Sequence, residues 1–354
     1  MPPTNTGVLS INDLLAVRFL SAVKYGLDII QAALERDRQI HNDLMTGMVG
    51  TYAEVSTDRH RLYWIGATIR GAQVDEFGRA HTQKSITGSE VGFPLRRFQY
   101  AIGWTADYLE NKTPADLAQT QLGVETGHAL DVRSQLQSAI YGATNFTFRD
   151  FLVDNFSILA KRFVNADGAE IPVGPNGETF DGSTHTHYLA GASLTNTLAH
   201  NLVDTVVEHH QDGQPQVFIN AADETVWRGL TDFKPYIDSR LTLGISASEP
   251  TARLNPFRTN NRPIGLFGAA EVWVKPWAVS GYAVCMDVSP AAPKPLVARV
   301  RTGAEITLKP AAEIVMFPLQ AQYMNSEFGF GVWTRTNGAV LDFGHASYTA
   351  PADL

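Results

Sequence analysis

The chain has 354 residues, 44% of them hydrophobic and 18% charged, and a formal net charge of −8. That length fits two or three domains with buried cores, and the acidic balance excludes tight nucleic-acid binding, which needs Lys and Arg to neutralise phosphates. The single cysteine, Cys285 in the apolar run YAVCMDV, excludes an internal disulfide framework and a multi-cysteine zinc site and fits a reducing compartment.

No window holds eighteen consecutive apolar residues, so no membrane span is expected. The opening MPPTNTGVLS lacks a basic stretch followed by an apolar one, so no secretory signal is read there. A basic arm is also missing from the first fifty residues. Arg18, Lys24, Arg36 and Arg38 stand against Asp13, Asp28, Glu35, Asp37 and Asp43.

SINDLLAVRFLSAV predicts a helix, with Ser10 as cap, Asp13 three positions on, and Leu14, Val17, Leu20 and Ala22 or Val23 on roughly one face. Gly26 interrupts, and a second helix is expected from Leu27 to Leu44 with Ile30, Leu34 and Leu44 inward. These helices either pack on their own domain or form an arm that reaches a neighbouring subunit. RLYWIGATI (61–69) reads as a strand. From Arg97 to Tyr108 a long strand is expected, with Phe98, Tyr100, Ile102, Trp104 and Tyr108 alternating with mostly polar residues. The twenty-odd residues between these strands are too many for a tight hairpin. They are read as two extended ribbons, too weak to stand alone and therefore lying on a partner surface.

Thr113-Pro114-Ala115-Asp116 is a strong helix start, and the helix is expected to run to Ile140 with Gly142 as its stop. Leu117, Val124, Leu136 and Ile140 are assigned to its buried side; Gly123 and Gly127 would admit another backbone closely. FRDFLVDNFSILAKRFVN (148–165) is read as an amphipathic helix, followed by a glycine-rich loop, a helix over 193–210, and the strand QVFIN. Two more strands flank Lys275-Pro276. The chain ends in strands VARVRTG, EIVMFPLQAQYMN, FGFGVWTRT and AVLDFG, with Asn337-Gly338 as a type I′ hairpin signal between the last pair. These final strands are needed to cover the long helix, so the region around 190–290 reads as an insertion in an α+β domain.

Among chemical motifs, His185-Thr186-His187 is the best metal candidate, because on a strand both rings point to one face. A zinc site needs further ligands, and Asp181, His200, Asp204, His209 and His210 show no known ligand spacing. The expectation is therefore no metal and no cofactor: a polar pair that hydrogen-bonds backbone. The rival is a metal-dependent hydrolase using His185 and His187. No nucleophile elbow, Walker A loop or dinucleotide fingerprint is present. FGFGVW (328–333) lies in strand-like sequence and is not read as a phosphate cradle, and Cys285 is read as a buried structural thiol.

These features, in this order, resemble the major capsid proteins of tailed bacteriophages, which have the Hong Kong 97-type shell fold. DEFGRAHTQKSITGSEVGFPLRRFQYAIGWTADYLENKTPADLA is similar to that family's extended loop, return strand and start of the spine helix. THTHYL, FKPYI and EFGFGVWTRTNGAVLDFG also resemble family segments. The resemblance implies an N-terminal arm (1–50), an extended loop with flanking strands (51–96), a peripheral domain (97–165 and 295–354) and an apical domain (166–294). It implies a non-enzymatic subunit that assembles as hexamers and pentamers of an icosahedral head in the host cytoplasm, around double-stranded DNA touched non-specifically. Scaffolding, portal and decoration proteins are its implied partners, and no membrane is. Asp75, Glu76, Arg79 and Lys84 would be loop contacts on a neighbouring subunit. Where such shells crosslink by an isopeptide bond, Lys84 is the loop's lysine and Asn325 or Asn337 the partner, although no motif for the required acid is found. The alternative within the fold is an encapsulin-like nanocompartment, with a cargo groove formed partly by the N-terminal helix.

Overall fold

In a computed structural model, the described residues are 10–64, 73, 74, 76, 78, 79, 87–210, 213–236, 261–290, 292–301, 306–316, 319–352 and 354. The chain opens with three helices, α1 (Ile11–Ala16), α2 (Ala22–Tyr25) and α3 (Leu27–Gly50). Asp13 accepts from the Ser10 N–H at 2.8 Å and caps α1. Two short helices replace the single one expected. Gly26 adopts φ +112°, a conformation other residues avoid, which lets α3 begin afresh. Ile30 is buried and Leu34 partly buried as expected, but Leu44 faces outward at 64% exposure.

Strands β1 (Ala53–Ser56), β2 (His60–Trp64), β3 (Thr87–Gly92) and β4 (Arg96–Thr105) follow. β2 and β3 pair antiparallel, His60 opposite Gly92, as the base of the expected ribbon. β4 shows the expected alternation, with Ile102 buried and Tyr100 and Trp104 half-buried. It ends at Thr105 rather than Tyr108. Thr105 caps the short helix α4 (Ala106–Asn111), accepting from the Tyr108 N–H at 3.1 Å.

The long helix α5 (Pro114–Tyr141) has the predicted capping box, Thr113 with Asp116, and Gly142 as its C-cap. Its 28 residues span about 42 Å at about 1.5 Å each. A Cβ at Gly127 would lie 3.6 Å from the Tyr100 ring, and one at Gly123 would meet nothing within 4 Å, so no backbone among the described residues exploits the pair.

The helix expected over 148–165 is instead a hairpin, β5 (Phe146–Arg149) and β6 (Ser157–Ala160). The turn residues decide this. The Asp150 carbonyl accepts from the N–H groups of Val153, Asp154 and Asn155. Asp154 accepts from the Phe156 N–H at 3.0 Å, and Asn155 sits at φ +62°, which stops a helix.

The remaining elements are β7 (Tyr188–Ala190), α6 (Asn196–Val207), β8 (Pro215–Ile219), α7 (Glu224–Arg228), β9 (Phe233–Pro235), β10 (Arg262–Phe267), β11 (Ala270–Val274), β12 (Tyr282–Asp287), β13 (Leu296–Val300), β14 (Lys309–Met316), β15 (Leu319–Val332) and β16 (Ala339–Asp342). They build two main sheets. One has five strands, β1-β13-β15-β14, with β4 also paired to β15; the other has seven, β7-β16-β12-β8-β11-β10-β9. β16 thus joins the sheet of the 188–287 segment, although it lies near the end of the chain.

The seven-stranded sheet is covered on both faces, and β12 is buried at every position. Ala199, Leu202, Val203 and Val206 of α6 pack with Val217, Ile219 and Val272 on one face. Leu136, Ala139 and Ile140 of α5 share a core with Phe218, Val284 and Val340. The same core contains Ala298, Phe328 and Phe330 of the five-stranded sheet, so α5 ties the two sheets together. Its first turns, at Leu117 and Ala118, pack on Ile11, Leu14, Ile30 and Ala33 of the arm helices.

The expected type I′ hairpin at Asn337-Gly338 does not form, because β15 and β16 belong to different sheets. Asn337 is fully buried. Its amide exchanges bonds with the Asp287 backbone, at 2.8 and 3.1 Å, and donates to the Pro293 carbonyl at 3.1 Å. Gly338 is glycine because a Cβ there would strike the Phe163 ring. The FGFG glycines have the same kind of cause. A Cβ at Gly331 would lie 2.7 Å from the Phe93 ring, and one at Gly329 would strike the Pro94 carbonyl, since the chain between β3 and β4 crosses here. No helix among the described residues is long and apolar enough to cross a membrane.

Candidate functional site: exposed faces and a histidine cluster

Two parts of the chain leave large apolar side chains in solvent. In the N-terminal helical segment, which packs on α5, these are Phe19, fully exposed, with Val23, Ile40 and Leu44. On the β5–β6 hairpin they are Phe151, Val153, Phe156 and Leu159. Single exposed apolar side chains are ordinary on a protein surface, whereas a contiguous patch of them marks a contact.

The ribbon base is held firmly. A Cβ at Gly92 would lie 2.8 Å from Ile158, so β3 rests directly against β6. Asp150, fully buried, pairs with Arg299 of β13 at 2.8 Å and with Arg59 before β2 at 3.2 Å. Arg299 also donates to the Phe93 carbonyl at 2.9 Å. One carboxylate therefore joins hairpin, ribbon and sheet.

Of the predicted loop contacts, Glu76 and Arg79 are exposed, and Asp75 and Lys84 lie outside the described residues. Of the two asparagines, Asn325 on β15 is half-buried and accepts from Gln99 at 3.0 Å. Asn337 is buried with its amide fully bonded and cannot meet a neighbour's lysine, which corrects its place among crosslink candidates.

The histidines are where the structure departs most from the sequence reading. His185 and His187 do face one side, their rings 5.2 Å apart. The backbone between them is clamped: His187 N–H donates to the Val164 carbonyl at 2.8 Å, and its carbonyl accepts from Val340 N–H at 2.8 Å. The residues just after α6, Glu208 and His209, come to the same point. His185 Nε2 lies 3.3 Å from His209 Nε2 and 3.2 Å from Glu208 Oε1, and His209 Nε2 lies 3.7 Å from the same oxygen. One ligand atom from each of the four residues lies within 4.8 Å of the others. The expectation of no metal rested on the lack of further ligands, and the fold supplies two.

His187 is fully buried and donates from Nδ1 to the Gly338 carbonyl at 2.7 Å, the backbone bond expected of it. Its Nε2 is buried with no hydrogen-bond partner. Burial and the neighbouring rings hold His187 well below the ordinary imidazole value and push His209 down to about 3, so both are neutral at pH 7. Phe180 covers the cluster, its ring 4.2 Å from His209 and 4.9 Å from His185. No local spacing signals this set; Glu208-His209 is separated from His187 by a loop, a strand and a whole helix.

No protein-family profile matches this sequence, and no curated protein matches it. Solved structures do. A structure of Mycobacterium phage Patience superimposes with a TM-score of 0.67 at 17% identity, covering 100% of this chain and 97% of that one. The capsid of an empty GTA particle computed with C5 symmetry matches with a TM-score of 0.50 at 13% identity, over 85% of this chain and 90% of that one. The fold is the Hong Kong 97 type. A holo-SrpI encapsulin complex from Synechococcus elongatus PCC 7942 is also similar, at a TM-score of 0.43 and 12% identity over 86% of this chain and 88% of that one. The α+β architecture expected from the sequence is thus the one observed.

Proposed function

We propose that this chain is the major capsid protein of a tailed bacteriophage. It is a structural subunit without catalytic turnover, assembling as hexamers and pentamers of an icosahedral head around double-stranded DNA. The observation that carries this reading is the apolar surface on the projecting elements of a shell fold: Phe19, Ile40 and Leu44 on the arm, and Phe151, Val153 and Phe156 on the hairpin. Phe19, fully exposed, gains about 1.5–3 kcal/mol when a neighbour covers it fully, and the half-exposed side chains gain about half as much. Repetition over a closed shell multiplies weak contacts.

In this reading residues 1–50 are the arm and 51–96 the extended loop. Residues 97–165 and 295–354 form the peripheral domain, and 166–294 the apical domain. The loop lies across the next subunit, with Asp75, Glu76, Arg79 and Lys84 as contacts, each surface ion pair contributing about 0–1 kcal/mol. The acidic chain suits a shell that must release its genome, because a basic lining would hold it. Scaffolding, portal and decoration proteins are the expected partners, and assembly takes place in the host cytoplasm. Lys84 and Asn325 remain the pair to examine for a crosslink, which a denaturing gel of assembled shells would reveal as a ladder.

Negative-stain microscopy of the expressed protein tests the reading. Closed shells, or hexamers and pentamers, are expected; a monodisperse monomer under all assembly conditions would overturn it. One feature bears on the encapsulin-like alternative: a cavity beneath α3 of mixed lining, apolar at Leu27, Ile30, Leu34 and Met324 and polar at Glu35, Arg38 and Gln121. Large particles that package DNA support the phage head, and small shells that co-purify with a protein cargo support the nanocompartment.

A further inference from the structure

The geometry points to a structural zinc site formed by His185, His187, Glu208 and His209, which pins the loop before β7 to the end of α6. Tetrahedral zinc takes imidazole nitrogens at about 2.0–2.1 Å, so its ligand atoms lie about 3.3–3.4 Å apart. The separations of 3.3 Å between His185 and His209 and 3.2 Å between His185 and Glu208 match that edge. The third, 3.7 Å from His209 to Glu208, exceeds it only slightly.

The second observation is independent of these distances. A carbonyl can only accept, so the bond from His187 to Gly338 places the ring proton on Nδ1 and leaves a lone pair on Nε2. That nitrogen is fully buried and has no hydrogen-bond partner, and a ligand atom of His187 lies within 4.8 Å of those of His185, Glu208 and His209, so His187 completes the set with a small shift of the ring. A buried polar atom without a partner is costly. A metal-bound imidazole characteristically donates its other N–H to a carbonyl or carboxylate, which fixes the tautomer and aims the lone pair at the ion. A hydrogen-bonded histidine network satisfies His185 and His209 but leaves His187 Nε2 orphaned. A metal satisfies all of them.

Three imidazoles and a carboxylate suit zinc better than calcium or magnesium, which prefer all-oxygen ligands. Four protein ligands leave no open position for water, so the site is structural and not that of a hydrolase. The surroundings are built to hold it. Residues 185–187 are bonded to Val164 and Val340, His210 bonds Thr336 at 3.2 Å, and Phe180 shields two of the rings. The inference does not depend on whether the chain forms a phage head.

The test uses the full-length protein, stripped with a chelator, then dialysed against zinc and freed of excess ion. Elemental analysis should find one zinc per chain, and zinc should raise the melting temperature by several degrees. Cobalt in place of zinc should give the intense visible absorption of a tetrahedral ion. His187→Ala and His209→Gln should each lose the zinc and its thermal effect. His200→Ala, on the same helix but outside the cluster, should keep both. Should the buried His187 variant fail to fold, Glu208→Gln, at a partly exposed position, carries the same prediction of at least tenfold weaker zinc binding. The proposal is overturned by wild-type protein that binds no stoichiometric zinc. Zinc retained in full by His209→Gln and Glu208→Gln, or an octahedral cobalt spectrum, would overturn it as well.

Discussion

The seven-stranded sheet and the projecting elements follow opposite rules. In the sheet, every residue of β12 and β16 is buried, α6 closes one face and α5 the other, and the central strands bury their apolar side chains within the chain, although Leu266 of β10 stays exposed. In the arm and the β5–β6 hairpin, apolar residues stand in solvent beside buried ones: Leu44 beyond Ile30 and Ala33, Phe151 and Phe156 beside Phe148 and Ile158. Both regions have a core, but only the first finishes it. A chain divided in this way is stable as a subunit and incomplete as a surface.

Substitutions should separate the two regions, and the largest effects belong to the closed one. Asp150→Ala leaves Arg299 buried without its carboxylate, at an expected cost of about 3–5 kcal/mol. Chemical denaturation should show it as a fall in midpoint with unchanged slope. Leu136→Ala, in the core shared by both sheets, should cost about 2–5 kcal/mol by the same measurement. Gly331→Ala drives a Cβ toward Phe93 and should cost about 1–3 kcal/mol. Its loosening should appear first in hydrogen exchange of β3. At the other extreme, Phe19→Ser with Phe156→Ser should change monomer stability by no more than about 0.5 kcal/mol each, yet abolish assembly in the microscope. A large loss of monomer stability instead would erase the distinction between the regions.

A pH dependence sharpens the border between them. His128 of α5 is fully buried, bonded to His41 of α3 and to Ser326, both at 2.9 Å. Burial pushes His128 down to about 4 and also lowers His41, which Asp37 partly offsets. A histidine held below its ordinary value contributes stability that is present above about pH 6.5 and lost as the pH falls through about 4. Glu125 acts in the opposite sense. Burial raises its carboxyl, with Asp37 adding to the effect, so its contribution fades as the pH rises. The two contributions oppose each other between about pH 4.5 and 6.5, so the test is a comparison of variants: relative to wild type, protection factors of α3 amides in His128→Gln should fall less, or rise, as the pH goes from 6.5 to 4. A pH profile identical to wild type in that variant would show that the histidine pair does not govern α3 docking.

Local chemistry was readable wherever it settled the structure by itself. Thr113, Pro114, Asp116 and Gly142 set the ends of α5 because caps act within one turn. The alternation of β4 was equally plain, since half-burial imposes a period of two. The hairpin at 146–160 was misread because its apolar spacing also fits a helix. The turn at Asp150–Asn155 breaks the helix locally, and the Asp150 carboxylate then ties the hairpin to Arg299, 149 residues away. The Asn337-Gly338 pair misled for a related reason. The dipeptide suits a tight turn, but its neighbours belong to separate sheets and its buried amide serves Asp287 and Pro293.

The sequence by itself determined the acidic balance, the N-terminal helices, the long helix, the alternation of β4 and the α+β order of elements, because composition, caps and periodicity act over a few residues. Only the tertiary structure decided which apolar faces are left in solvent and which histidines meet. His185 and His187 are neighbours along the chain, and the sequence offered His209 only as one of several candidates without a recognised ligand spacing and did not single out Glu208. Glu208 and His209 reach them because α6 packs on the sheet that contains β7 and β16, and that packing follows from burial across the whole domain, which no local spacing encodes.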